Sequence, residues 1–247
     1  MPNSLVRDYK TGGRITVHIA PHSHDDVGWL KTVDEYFDGS RKDLQWTNVE
    51  VELTTVINAL LADPARKFSE VEMKFFSMWF NEQSTDMQEK VRGLVKSGQL
   101  ELINGGWSMH DEACPTYEDM INNMMIGHDF ILKEFGVKPR IGWTIDPFGH
   151  SNFNTRLYAE LGFDAFFFAR LDYQDKNKRM NEKEMEYVWM PNKETLGSEV
   201  NILTHVLYAH YSSPSGFGFD VLDNYPVWIN DKDSEDYNAD TEAAKLI

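Results

Sequence analysis

Two aspartates, two histidines and a tryptophan lie within residues 22–29, whose sequence is HSHDDVGW. They follow residues 14–20, an apolar run that predicts a buried β-strand. Imidazole nitrogens and carboxylate oxygens are the ligands that Zn²⁺ and similar divalent ions take, so His24 and Asp26 are candidate ligands of one ion. The competing interpretation is that these groups only cap a loop or face solvent.

A second polar motif, WTIDPFGHS, occupies residues 143–151, and it also begins in an apolar run that predicts a strand. Pro147 has no backbone N–H and favours an extended conformation at the residue before it, so the strand should stop with Asp146 at its end. An aspartate in this position is a candidate nucleophile or metal ligand. The alternative is an ordinary turn aspartate that precedes a proline.

Composition limits the classes of function. The chain has 247 residues, of which 41% are hydrophobic, enough to bury a substantial core. Its 40 acidic and 24 basic residues give a formal charge of −16, which argues against nucleic acid and anionic membranes as partners. No apolar run is long enough for a membrane span, and no signal peptide is visible at the amino terminus. The single cysteine, Cys114, excludes an intrachain disulfide.

Apolar runs that predict strands alternate with segments of helical period. The predicted strands are residues 14–20, 71–77, 100–103, 141–145, 165–169 and 200–205, with a weaker one at 187–190. Apolar residues at helical spacing predict helices around residues 53–61 and 87–95. Thr116 with Asp119 predicts the start of a helix that ends at Phe135, before Gly136. Repeated β-α units predict an α/β fold with a parallel sheet, either open or closed into a barrel.

The predicted map also places five polar or aromatic side chains at or just beyond the carboxyl ends of strands: His24, Trp79, Trp107, Asp146 and Arg170. Ligands of α/β sheets and barrels bind at that edge, where side chains from distant parts of the sequence meet. We therefore expect these five side chains to converge on one site.

Four motifs together resemble the N-terminal catalytic region of the glycoside hydrolase family 38 (class II) α-mannosidases, and more closely the lysosomal or vacuolar type. They are residues 22–37, 104–113, 145–151 and 166–176, in family order. The resemblance covers the chain from about residue 14 to residue 190. It implies a retaining enzyme that removes terminal α-linked mannose from N-glycans, with a mannose-containing oligosaccharide or glycoprotein glycan as its partner.

The resemblance also implies the site residues. His24, Asp26 and Asp146 match three ligands of a Zn²⁺ ion, and Asp146 matches the nucleophile that forms a covalent mannosyl-enzyme. Side chains that match the substrate-binding positions are Trp29, Phe148, Arg170 and Tyr211, with His210 or Tyr208 as alternatives to the last.

Four further groups are expected around the site rather than in contact with substrate: Trp107, Asp111, Glu112 and His150. Asp111 and Glu112 could in principle supply a general acid. The family's acid/base carboxylate lies in a later region, however, so we interpret these four as groups that orient the site.

In fold, the resemblance implies a seven-stranded, parallel β/α barrel-like N-terminal catalytic domain, of which residues 1–247 form only a part. The family's helical bundle, β-rich domains, fourth zinc ligand and acid/base residue are expected beyond residue 247. The remainder of the polypeptide is then a partner, and the isolated chain is expected to be inactive. The implied location is the lysosome, the vacuole or the exterior.

Two other classes of function remain open at this point. An H-x-H after the first strand also begins the amidohydrolase barrels, but those sites need more histidines at later strand ends, where this chain has Trp107, Asp146 and Arg170. The chain could also be a non-catalytic, carbohydrate-binding fragment.

Overall fold

The computed structural model describes residues 18–212, 229 and 232–244, which divide into two units. The larger unit, residues 20–211, contains the motifs discussed above. Its helices are α1 (Val33–Phe37), α2 (Val49–Ala62), α3 (Met73–Glu82), α4 (Thr85–Ser97), α5 (Tyr117–Phe135), α6 (Asn152–Leu161), α7 (Tyr173–Glu182) and α8 (Lys193–Leu196). Its strands are β1 (Phe68–Glu70), β2 (Leu100–Leu102), β3 (Ile141–Thr144), β4 (Ala165–Phe168), β5 (Glu186–Trp189) and β6 (Ile202–Val206).

The strands form two sheets. Strands β1 and β2 pair in parallel, and a second sheet has the order β3-β4-β6-β5. In that second sheet β3, β4 and β6 are parallel, whereas the edge strand β5 runs antiparallel to β6. The α/β class and the strands predicted near residues 100, 141, 165, 187 and 200 are therefore confirmed, while the parallel sheet acquires one antiparallel edge.

The seven-stranded barrel is not confirmed, because the described residues contain six strands in separate sheets. Strands β2 and β3 do not pair with each other; instead, two hydrogen bonds made by Asn104 connect the end of β2 to β3. The Asn104 N–H donates to the Ile141 carbonyl at 2.7 Å, and its side-chain oxygen accepts from the Trp143 N–H at 3.3 Å. Asn104 and Gly105 have positive φ values of 55° and 74°, so the chain leaves the extended conformation where a ladder would continue.

The strand predicted at residues 71–77 is wrong. Strand β1 ends at Glu70, and helix α3 begins at Met73. Phe76 and Phe80 follow Met73 at helical spacing, and all three side chains are buried. Residues 71–75, VEMKF, alternate apolar and polar side chains as in a half-buried strand, whereas Met73, Phe76 and Phe80 recur at helical spacing. The two periods overlap in this run, so its pattern does not separate a helix from a strand.

The long helix α5 begins and ends as the sequence predicts. Thr116 and Asp119 form a capping box at its start, and Gly136 ends it with φ of 68°. In the middle of the helix, Gly127 packs directly against the backbone at Gly105, so that a Cβ atom at residue 127 would overlap the Gly105 carbonyl. This close approach fixes the loop after β2 on α5.

Near the termini the structure describes fewer residues. Residues 14–17 of the first predicted strand lie outside the described residues, and residues 18–20 are not in a strand. In the smaller unit, the described residues include helix α9 (Ala239–Ala244), and residues 245–247 are not described. Among the helices that are described, none has the length and hydropathy needed to cross a bilayer.

Candidate active site

The segment with His24 and Asp26 is attached to strand β1. His22 forms an isolated parallel bridge with Ser69, whose N–H donates to the Pro21 carbonyl at 2.9 Å. Beyond it, Gly28 turns the chain with φ of 86°, and its N–H donates to the Asp26 carbonyl at 2.8 Å. The carboxylate of Asp26 is thereby folded back towards His24, with Oδ1 lying 3.6 Å from His24 Nε2.

Asp146 lies two residues beyond the end of β3, as predicted, and its two oxygens have different surroundings. Oδ1 accepts from Arg170 Nε at 3.1 Å, from Arg170 Nη2 at 2.6 Å and from the Tyr211 hydroxyl at 2.9 Å. Oδ2 lies 3.4 Å from His24 Nε2. The structure thus brings His24, Asp26, Asp146, Arg170 and Tyr211 together.

The environment favours an ionised Asp146. Partial burial by itself raises the pKa of this carboxyl group, but the hydrogen bonds from Arg170 and Tyr211 and the charges of His24 and Arg170 outweigh it. The net result is a pKa below the ordinary value. For Asp26, burial raises the pKa, and the nearby Asp146 carboxylate adds to this against the opposing charge of His24.

The group formed by His24, Asp26 and Asp146 has the donor types of a divalent-metal site. Its three ligand atoms lie within 4.8 Å of one another, and they are one imidazole nitrogen and two carboxylate oxygens. Adjacent carboxylates repel each other unless a proton or a cation lies between them. The residues therefore fit Zn²⁺, which takes this combination of ligands.

A second group of carboxylates was missed by the sequence reasoning. Asp25, Glu70 and Glu72 are buried together directly behind His24, and Glu72 Oε1 lies 3.8 Å from His24 Nδ1. Burial, with the charges of Glu52 and Asp26, raises the pKa of Asp25 to about 7, and burial also raises those of Glu70 and Glu72. Protonated carboxyl groups are poor metal ligands, so this group fits an ion less well than the first.

The side chains of His24, Asp26 and Asp146 line a cleft of about 660 Å³. Trp29 and Phe148 lie on its wall with 66% and 79% of their surface exposed, and the Arg170 guanidinium stacks on the Phe148 ring at 4.7 Å. A larger cleft of about 830 Å³ shares Phe148 and Arg170 but does not contain His24, Asp26 or Asp146. We therefore place the candidate site in the smaller cleft.

The groups expected around the site divide into two sets. Asp111 lines the cleft, and its carboxylate accepts the N–H groups of Ala113 and Cys114. Glu112 and His150 do not line this cleft; their side chains are buried and bonded to each other at 2.8 Å, and His150 lies in the wall of the larger cleft.

The two tryptophans expected at strand ends are not among the residues that line this cleft. Trp107 packs against the core beside α3, and the Lys74 ammonium lies 5.8 Å from its ring centre. Trp79 is wrong as a site residue, because it lies inside α3, where its Nε1 donates to Thr54 Oγ1 at 2.9 Å. The strand wrongly predicted at 71–77 is the source of this second error.

Comparison with known proteins identifies relatives over almost the whole chain. The family model described as the glycosyl hydrolases family 38 N-terminal domain matches residues 14–247. Identity is 52% over 226 residues with an alpha-mannosidase of Arabidopsis thaliana, covering 91% of this chain and 22% of that protein. It is 50% with the lysosomal alpha-mannosidase of Dictyostelium discoideum (94% and 23%) and 47% with that of Homo sapiens (91% and 22%).

Solved structures agree on the fold. An alpha-mannosidase from Enterococcus faecalis superposes with a TM-score of 0.60 at 16% identity, over 81% of this chain and 21% of that one. A 4-alpha-glucanotransferase from Thermococcus litoralis superposes with a TM-score of 0.53 at 18% identity, over 76% and 27%. The chain spans about a quarter of the length of these curated relatives, and it belongs to glycosyl hydrolase family 38, whose N-terminal domain it matches.

Proposed function

We propose that this chain supplies the nucleophile and most of the metal site of a retaining α-mannosidase that removes terminal α-linked mannose from glycans. The observation that carries the proposal is that the two carboxylate oxygens of Asp146 have different partners. One carboxylate oxygen is fixed by three hydrogen bonds from Arg170 and Tyr211, while the other points to His24.

His24, Asp26 and Asp146 are the residues that would hold a Zn²⁺ ion. When bound, such an ion acts as a Lewis acid towards sugar hydroxyls and neutralises the adjacent carboxylates. His24 Nδ1 has no hydrogen-bond partner and faces the buried Glu72 carboxyl group. The other ring nitrogen, Nε2, is directed at Asp26 and Asp146, and this orientation supports a role as a metal ligand.

The remaining groups prepare Asp146 and receive the sugar. A carboxylate must be ionised to attack the anomeric carbon, and the lowered pKa of Asp146 keeps it so. Trp29 and Phe148 offer exposed apolar ring faces to the sugar and exclude water from it. Asp111 is proposed to shape the cleft rather than to transfer protons, because two backbone N–H groups already hold its carboxylate.

The proposed setting follows from the relatives, two of which are named as lysosomal alpha-mannosidases. We propose glycoprotein N-glycans as substrates, the lysosome or vacuole as the compartment, and the remainder of the same polypeptide as the partner that completes the site.

A mechanism-based label tests the proposal. The chain, expressed with the remainder of its polypeptide, is incubated with a 5-fluoro mannosyl fluoride, which slows breakdown of a covalent intermediate. Peptide mapping should place the sugar on Asp146, and methanolysis of an α-mannoside should give the α-methyl product. A label on Asp111 or Glu112, or a β-methyl product, would contradict the mechanism. Sugar binding without any label would favour a carbohydrate-binding function instead.

A further inference from the structure

We infer that Glu112, acting through His150, is a positioning residue that holds both partners of the Arg170–Asp146 pair in place. The inference rests on the proposed function only for its catalytic meaning, because the hydrogen-bond network is visible without any ligand. Neither cleft described above has Glu112 in its wall. Any effect of Glu112 on the site must therefore pass through other residues.

The Glu112 carboxyl group clamps the loop that carries Asp146. Its Oε2 accepts from the Ser151 N–H at 2.8 Å, at the residue that caps α6. Its Oε1 contacts Thr144 Oγ1 at 3.5 Å, at the last residue of β3. Asp146 and Phe148 lie between these two attachment points. One buried side chain, 1% exposed, thus fixes both ends of the loop.

His150 extends the same network to the end of β4. Its Nδ1 lies 2.8 Å from Glu112 Oε1, and its Nε2 lies 3.0 Å from the Arg170 carbonyl oxygen. A carbonyl oxygen only accepts, so Nε2 must carry a proton and donate it. The Nδ1···Oε1 hydrogen bond then contains a single proton, which belongs either to the imidazole or to the carboxyl group.

The surroundings leave the His150 ring little freedom to rotate. Its centre lies 4.1 Å from that of Phe168 and 6.0 Å from that of Phe166, and the side chain is only 5% exposed. The hydrogen bond to the Arg170 carbonyl therefore fixes the backbone from which the Arg170 side chain reaches Asp146. Loss of Glu112 should loosen Asp146 through its loop and Arg170 through His150.

The chemistry of the network distinguishes three substitutions. In Glu112→Gln the amide oxygen can accept from Ser151 and the NH₂ group can donate to Nδ1 of a neutral His150, so the contacts survive. Glu112→Leu leaves the Ser151 N–H and His150 Nδ1 buried without partners. The double substitution Glu112→Leu with His150→Phe replaces the pair by apolar groups among Phe166 and Phe168, and buried pairs replaced in this way often retain the fold.

The test uses the Arg170 Nε–H signal in ¹⁵N NMR spectra of the 247-residue chain, assigned by its loss in Arg170→Lys. Because Nε–H donates to Asp146, we expect slow exchange with solvent in the wild type and in Glu112→Gln. We expect exchange at least about 10-fold faster in Glu112→Leu and in the double variant, since the network no longer holds the two partners together.

Ile131→Ala is the matched control for a general loss of stability. Ile131 is fully buried in α5, and its truncation leaves a cavity that should lower the midpoint of urea unfolding without touching the network. Arg170 exchange should stay at the wild-type rate in this variant. The inference is overturned if a folded double variant keeps wild-type exchange at Arg170, or if Ile131→Ala accelerates exchange equally.

A second measurement connects the network to catalysis. In the protein expressed with the remainder of its polypeptide, the double variant should lower kcat on an aryl α-mannoside by about 10-fold or more with a smaller change in KM, as for groups that orient a site from outside it. Glu112→Gln should restore most of kcat. If no variant, including the wild type, hydrolyses mannosides, the proposed function fails while the exchange measurement still decides the positioning role.

Discussion

Arg170 places two donors on a single oxygen of Asp146, with Nε at 3.1 Å and Nη2 at 2.6 Å from Oδ1. The opposite oxygen, Oδ2, receives neither of them and lies 3.4 Å from His24 Nε2. The arginine therefore orients the carboxylate as well as neutralising it.

Removal of the guanidinium should raise the pKa of Asp146. In Arg170→Met the burial that already opposes ionisation remains, while two hydrogen bonds and a positive charge are lost. The carboxyl ¹³C signal of Asp146 should then titrate at a higher pH than in the wild type. Arg156→Met, which breaks a surface pair with Glu160, serves as the control and should leave that signal unchanged. An unshifted titration in Arg170→Met would show that Arg170 does not control the charge of Asp146.

Zinc affinity should depend on His24 and Asp26. Each substitution to alanine removes one donor of the proposed site and should weaken Zn²⁺ binding to the chain by about 100-fold or more, measured against a competing chelator. His205→Ala removes an imidazole that pairs with Glu186 instead, and it should have no such effect. Equal zinc affinity in all three variants would remove the metal assignment.

The buried carboxyl groups of Asp25, Glu70 and Glu72 should make the metal-free chain less stable as the pH rises. Buried histidines, whose pKa values are lowered, contribute in the opposite direction below about pH 6.5, so the carboxyl contribution is measured by comparing variants. Burial raises the pKa of Asp25 to about 7, and those of Glu70 and Glu72 are raised as well. At these three groups the folded chain holds protons that the unfolded chain releases above about pH 4, so their contribution to the free energy of unfolding falls between about pH 4 and about pH 7.

Urea unfolding in the presence of a chelator, at about pH 5 and about pH 7.5, measures this slope. Asp25→Asn keeps the size of the side chain and removes its charge. This variant should show a smaller slope than the wild type and should be the more stable of the two at the higher pH. A difference in stability between the two pH values that is the same in Asp25→Asn and the wild type would contradict the prediction.

Gly127 should tolerate no larger residue. A Cβ at this position overlaps the Gly105 carbonyl, so Gly127→Ala should lower the free energy of unfolding by about 1–3 kcal/mol or displace the loop after β2. Gly93 in α4 is the matched control, because a Cβ there meets no atom within 4 Å. Gly93→Ala should instead stabilise the chain by about 0.5–1 kcal/mol through its helix propensity. Equal effects at the two glycines would show that the contact at Gly127 is unimportant.

The sequence predicts those parts of the molecule that local rules control. The boundaries of α5 follow from Thr116, Asp119 and Gly136, since caps act within one turn of the helix. Asp146 is placed correctly at a strand end because Pro147 cannot continue a ladder. The sequence therefore predicts the position of Asp146 in the fold, while its chemical role stays a proposal.

Other features depend on contacts between distant segments, which local patterns do not record. The run after β1 is apolar enough for a strand, but its packing into the core makes it α3 and removes Trp79 from the site. The buried carboxyl group of Glu72 lay within that mistaken strand, so its approach to His24 was not foreseen. The only local sign was a pair of glutamates, Glu70 and Glu72, beside an apolar run.

His24 and Asp146 meet across a long stretch of sequence, and the segment that carries His24 is attached to β1 by few backbone bonds, two of them made by Ser69. A ligand bound by both groups would be released when this segment detaches, so its binding free energy opposes local unfolding of the segment. Its occupancy should then govern how readily proteases cut residues 20–31, well before any change appears in the stability of the rest of the chain.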